Sequence, residues 1–92
     1  MMVVVKTDTD IYLNVEGFNV SEGHSEKVNG HDICIEKPGL YIKLTSCNRY
    51  VPVIYCDVEK AKKMLGGIAR MINYYRSDMP VLEIRDGDIR RL

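Results

Sequence analysis

Apolar and polar residues alternate over much of the first 55 positions. Ile11, Leu13 and Val15 interleave with Tyr12, Asn14 and Glu16, and Leu40, Ile42 and Leu44 interleave with Tyr41, Lys43 and Thr45. A period of two places one set on a buried face and the other on a wet one, so both runs predict half-buried strands. Ile11, Leu13 and Val15 are expected inside, and Glu16-Gly17 is expected to turn the chain into Phe18 and Val20. Val28-Asn29-Gly30-His31 sets Asn-Gly between two extended runs. That predicts a two-residue type I′ turn, because both central residues must take positive φ. The register then runs outward: Val28 opposite His31, Lys27 opposite Asp32, Glu26 opposite Ile33, Ser25 opposite Cys34 and His24 opposite Ile35. Lys37-Pro38-Gly39 predicts a type II turn, with proline presetting φ and glycine accepting a positive one. Within Val51 to Tyr55, Pro52 cannot donate to a ladder, which marks an edge strand or the start of one.

The period changes after Asp57. Val58, Ala61, Leu65, Ile68, Ile72 and Tyr75 recur at spacings of three and four, with Met64, Ala69 and Met71 widening the stripe. This predicts an amphipathic helix with Asp57 as N-cap, Glu59 favourable in the first turn, Arg76 near the C-terminal end and Pro80 preventing continuation. Beyond it, Asp86-Gly87 between Val81 to Arg85 and Asp88 to Leu92 predicts a second hairpin. It sets Ile84 opposite Ile89, Glu83 opposite Arg90 and Arg85 opposite Asp88. The expected fold class is α+β: an antiparallel β-meander of about five to seven strands, one amphipathic helix packed on one face, and a C-terminal β-hairpin extending the sheet or pairing with a partner. Tyr12, Tyr41 and Tyr50 are expected on the face the helix leaves open, where a phenol covers apolar surface and still reaches water. Ninety-two residues make one domain, 1–92.

Composition narrows the class of function mostly by exclusion. Lysine plus arginine balance aspartate plus glutamate at 13 each, but residues 1–36 hold seven acids against two lysines, a net −5, and residues 37–92 eleven bases against six acids, a net +5. Acidic and basic regions form if these segments stay apart in space, and cancel if they interleave in one sheet. Three cysteines, Cys34, Cys47 and Cys56, cannot all pair within one chain, the usage of a reducing compartment. The opening MMVVV has no basic start and meets Lys6, Asp8 and Asp10 at once, unlike a secretory leader, and no apolar run approaches the roughly 20 residues that span a bilayer. The expected location is cytoplasmic, with no membrane partner.

The chemical constellations are thin. His31, Cys34, Cys47 and Cys56 include a His-x-x-Cys, but residues three apart on a strand diverge, so no metal site is expected. Cys47, beside Arg49 in the loop SCNRY, is the best candidate nucleophile, with no imidazole placed near it. No phosphate-binding glycine loop, Gly-x-Ser-x-Gly elbow or His-Glu-x-x-His pair is present, and no catalytic residue or cofactor is assigned.

The helix says more. At 100° steps its outer arc carries Lys60, Lys63, Gly66, Gly67, Arg70 and Tyr74, with Lys62 and Asn73 at the margin. Two adjacent interior glycines cost about 1 kcal/mol each relative to alanine. Either the helix breaks at Gly66 and restarts near Ile68, which is the expectation, or a surface has been kept bare for something to approach. The functional reading is a small non-catalytic protein–protein interaction module. It binds another protein or a copy of itself through Lys60, Lys63, Gly66, Gly67, Arg70 and Tyr74, or through an open strand edge. Nucleic-acid binding by the same basic face ranks second, and a small enzyme or ligand-binding domain using loop residues near Cys47 third.

Overall fold

The chain opens as a hairpin. β1 (Val3–Lys6) turns through Thr7–Asp10 into β2 (Ile11–Ser21). In the turn the Thr7 amide donates to the Asp10 carbonyl (2.8 Å), and the Thr7 hydroxyl accepts from the Asp10 amide (3.1 Å). Val5 pairs with Tyr12 but Val3 with Val15, so β2 holds one residue more than β1 over this stretch. The extra residue is a bulge containing Asn14 in the left-handed region (φ 57°). Its effect corrects the simple alternation. Tyr12 shares a face with Val5 and packs against the core, whereas Ile11 and Leu13 stand on the other face, 64% and 63% exposed. Tyr12 is therefore not on the open face. Glu16-Gly17 is not a turn either: β2 runs straight on, and a second register shift between Val15 and Gly17 takes up the irregularity.

The computed structural model describes residues 3–46, 50–74, 81–85 and 88–91; the side chains of Asn73, Tyr74 and Arg91 fall outside that description. β3 (His24–Val28) and β4 (His31–Glu36) form a separate two-stranded arm. Its turn is as the sequence demands, with Asn29 and Gly30 at φ 53° and 80°. The register matches expectation from Val28↔His31 to Ser25↔Cys34; only at the root does it slip, where His24 pairs with Glu36 and Ile35 is left over as a bulge.

β5 (Gly39–Leu44) and β6 (Tyr50–Tyr55) continue the large sheet beside β2. Gly39 is not the third residue of a type II turn; it starts β5, paired with Ser21 and Tyr55 at φ 157°. The helix α1 (Val58–Tyr74) follows, and then β7 (Val81–Arg85) and β8 (Asp88–Arg91). Asp57 caps α1 through Oδ1, which accepts from the Lys60 amide at 2.8 Å. The helix is continuous through Gly66 and Gly67, so the expected break does not occur.

β7 pairs parallel with β1 (Val4↔Val81, Val5↔Leu82, Lys6↔Glu83), and β8 pairs antiparallel with β7 in the predicted register. The large sheet thus has the order β6-β5-β2-β1-β7-β8, with the C-terminal hairpin extending it. Among the described residues the architecture is α+β, eight mostly antiparallel strands with one helix packed on the large sheet. Ala61, Met64 and Ile68 of α1 are buried with Val3, Val5, Val15, Leu40, Ile42, Leu82 and Ile84. Full burial of each such aliphatic side chain is worth about 1.5–3 kcal/mol, enough together to carry a helix through two glycines. Leu65 is only half-buried and Ala69 is exposed, so the stripe is narrower than the sequence pattern. Arg76, Pro80 and the Asp86-Gly87 turn lie outside the described residues.

Candidate interaction surfaces

The outer helix face is less bare than its sequence implies. Lys60, Lys62, Lys63 and Arg70 are exposed, and among the described residues none of them enters an ion pair. The two glycines do not share their orientation. A Cβ on Gly66 would meet the Arg70 guanidinium at 3.9 Å, whereas one on Gly67 would meet Cδ1 of Ile89 at the same distance, so Gly67 looks toward β8 rather than into solvent. Both are half-buried. Tyr74 ends the helix, and its side chain lies outside the described residues. The cationic patch is therefore Lys60, Lys62, Lys63 and Arg70, with Gly66 among them.

The arm is the more unusual surface. Every residue from 24 to 38 is exposed, including Val28, Ile33 and Ile35. The radius of gyration, 14.3 Å, exceeds the roughly 12 Å of a compact domain of this length, as a protruding element requires. One signal for this was present in the sequence. Polar residues occupy both faces of Ser25-Glu26-Lys27, so β3 has no side that a core would take.

Where the arm joins the sheet, a groove of about 310 Å³ opens between Cys34 and Ile35 on one side and Tyr41, Pro52 and Tyr55 on the other. Tyr41 lies on the sheet face away from the helix, as expected, yet it is buried, and its hydroxyl donates to the Lys37 carbonyl at 2.6 Å. Burial, and after it the charge of Glu36, pushes its phenol pKa up, so it remains a donor. The Tyr41 and Tyr55 rings meet edge to face at 6.5 Å, and the Lys37 ammonium sits 5.2 Å from the Tyr55 ring centre.

The acidic and basic halves of the chain interleave rather than separate. Asp8 pairs with Arg85 at 2.6 Å and Glu16 with Lys43 at 3.3 Å, each bond joining the first half to the second. Such exposed pairs stabilise little, but they cancel the field that a segregated distribution would have produced.

Glu83 is the exception, buried with its carboxylate bonded to the Arg90 guanidinium at 2.6 Å. That bond, ahead of the nearby charges of Arg85, Arg90 and Lys6, holds the carboxyl below the ordinary glutamate value against the opposing effect of burial. A depressed folded-state pKa stabilises the fold above the unfolded-state value, and the contribution is lost as pH falls through the folded one. Urea midpoints of the native protein are accordingly expected to drop on acidification through the carboxylate range. Arg90→Ala should start lower at neutral pH and lose less over the same range. Parallel acid limbs for the two proteins would contradict the role given to Arg90.

No protein-family model, curated protein or solved structure matches the chain. Among the described residues no three His, Cys, Asp or Glu side chains converge as metal ligands, and no helix is long and apolar enough to cross a membrane. Cys34 and Cys56 are free thiols, and no histidine lines the groove holding Cys34. Cys47 and Arg49, the residues of the enzyme reading, lie outside the described residues.

Proposed function

We propose that this protein is a small non-catalytic protein–protein interaction module of the cytoplasm. Its contact surface is the β3–β4 arm together with the sheet face at the arm's root. The reading rests on one observation: residues 24–38 are exposed throughout, and three aliphatic side chains among them, Val28, Ile33 and Ile35, stand outside the hydrophobic core of the described residues. A two-stranded hairpin standing in water is marginally stable at best and gains from a third strand or a covering partner. The free thiol of exposed Cys34 suits a reducing location. Nucleic-acid binding is the second reading, favoured by the exposed cations Lys60, Lys62, Lys63 and Arg70. It predicts affinity that collapses with salt as counterions compete, whereas an apolar arm contact survives moderate salt.

The test is a photo-crosslinking residue at position 33 and, separately, at position 63, in the full-length protein in native lysate. A defined adduct at 33, competed by excess native protein but not by an Ile33→Asp/Ile35→Asp variant, is expected. An adduct only at 63 moves the interface to the helix, and none at either position in a folded protein overturns the reading.

A further inference from the structure

We infer that the groove at the arm's root takes a proline-rich segment of a partner protein in the polyproline II conformation; this rests on the interaction-module reading and names the chemistry of its ligand. The register places Tyr50 opposite Lys43, Pro52 opposite Tyr41 and Tyr55 opposite Gly39. These partners alternate along β5 with buried Leu40 and Ile42, so Tyr50, Pro52 and Tyr55 form a row on the sheet face away from the helix. The two outer rings are 42% and 55% exposed. Ile35 and Cys34 of the arm rise beside the row as a wall.

The edge beside this row is unfit for an added strand. β6 is the outermost strand of the sheet, but Pro52 has no N–H to donate, and the register slips between Leu40↔Ile54 and Tyr41↔Pro52, which leaves Val53 as a bulge. An extended peptide seeking a ladder meets two interruptions within six residues. The ligand must be read by side chains instead, and a polyproline helix needs no ladder. Because Val53 is bulged, Tyr50 to Tyr55 spans only Lys43 to Gly39 of β5, on the order of 13 Å at about 3.3 Å per residue, which matches about four residues of polyproline II at about 3.1 Å each.

Hydrogen-bonding capacity points the same way. A proline-rich segment offers carbonyl acceptors and almost no donors. The groove offers donors, the phenol of Tyr55 and the Lys37 ammonium held over its ring, and the phenol of Tyr50 lies farther along the same sheet face. Among the lining residues, Glu36 accepts from the Ser21 hydroxyl through one carboxylate oxygen, and the Tyr41 hydroxyl donates to the Lys37 carbonyl. Tyr41 is thus a positioning residue that fixes the Tyr55 ring and the Lys37 backbone. The ligand's stiffness lowers the ordering cost that a flexible peptide would face.

The experiment titrates the full-length protein with an oligoproline peptide and, separately, with a Thr-Val peptide of equal length, following backbone amide shifts by NMR. Oligoproline is expected to give saturable shifts at Ile35, Lys37 and the β6 residues. Tyr50→Ala and Tyr55→Ala should each weaken it by about tenfold or more, as truncation of an aromatic anchor does. Tyr55→Phe, which keeps the ring and removes the donor, should fall between, and Lys63→Glu should change nothing. The inference is overturned if oligoproline gives no saturable shift, if Tyr55→Ala binds as the native protein does, or if the Thr-Val peptide binds in preference. Should the position-33 crosslink form while oligoproline fails, the inference falls alone and the interaction module stands.

Discussion

Gly39→Ala is expected to melt far below the native protein, by on the order of 12–24 °C, a loss of roughly 3 kcal/mol. A Cβ at this position would lie 2.2 Å from the Ile54 carbonyl oxygen, 3.0 Å from Tyr55 Cα and 3.1 Å from the Ile54 carbonyl carbon. All three atoms are backbone, so no side chain can swing away. β6 must move off β5, and with it the amide of Cys56, which donates to the Pro38 carbonyl at 3.2 Å. The backbone angle adds its own cost, since φ of 157° is one that residues with a Cβ rarely adopt. Overpacking and backbone strain each account for about 1–3 kcal/mol, against a total stability of roughly 5–14 kcal/mol for a domain of this size.

Gly30→Ala separates the two contributions. Its φ of 80° makes the backbone cost similar, but nothing lies within 4 Å of where its Cβ would sit. This variant is expected to lose only about 1 kcal/mol. Circular-dichroism melts of both check the argument. If Gly39→Ala melts no lower than Gly30→Ala, the close approach of β5 to β6 is not as described.

The contrast between these glycines shows what a sequence makes legible. Asn29-Gly30 is a local device: two residues dictate their own φ, and a type I′ turn dictates the register of the strands it joins. The same holds for the Asp57 cap and for Ile84, Glu83 and Arg85 opposite their β8 partners. Gly39 was legible as a special residue but not for the right reason, because its neighbour Ile54 is brought there by strand pairing and not by the turn. The bulge at Asn14 is the costliest case. One added residue inverts the faces that alternation assigns to Ile11, Leu13 and Tyr12, and nothing in the eleven residues of β2 announces where the slip falls. The parallel pairing of β1 with β7 joins the two ends of the chain, which no local pattern encodes. The row of Tyr50, Pro52 and Tyr55 was invisible for the same reason, since it becomes a row only through the bulge at Val53 and the outermost place of β6. The arm stands apart, because its doubly polar strand could have excluded it from any core.

Gly66→Ala/Gly67→Ala is expected to move stability in the opposite direction, upward by about 2 kcal/mol and by roughly 8–16 °C in melting temperature. Each glycine is helical and neither has positive φ, so alanine fits the backbone without strain. Both added methyl groups would find ordinary contacts at 3.9 Å, one against the Arg70 guanidinium and the other against the Ile89 methyl of β8. Alanine also has fewer unfolded conformations to lose. A fall in stability would mean that the helix does break there and that one of the pair is left-handed, the conformation alanine resists. The same variant also weighs the two interaction surfaces against each other. If the cationic face must stay free of side chains for a partner to approach between Lys63 and Arg70, the stabilised protein should lose its crosslink at position 63. If the arm carries the contact, the crosslink at position 33 should persist in a protein that melts higher than the native one. The glycine pair would then be a cost that the burial of Ala61, Met64 and Ile68 outweighs, with no bearing on binding.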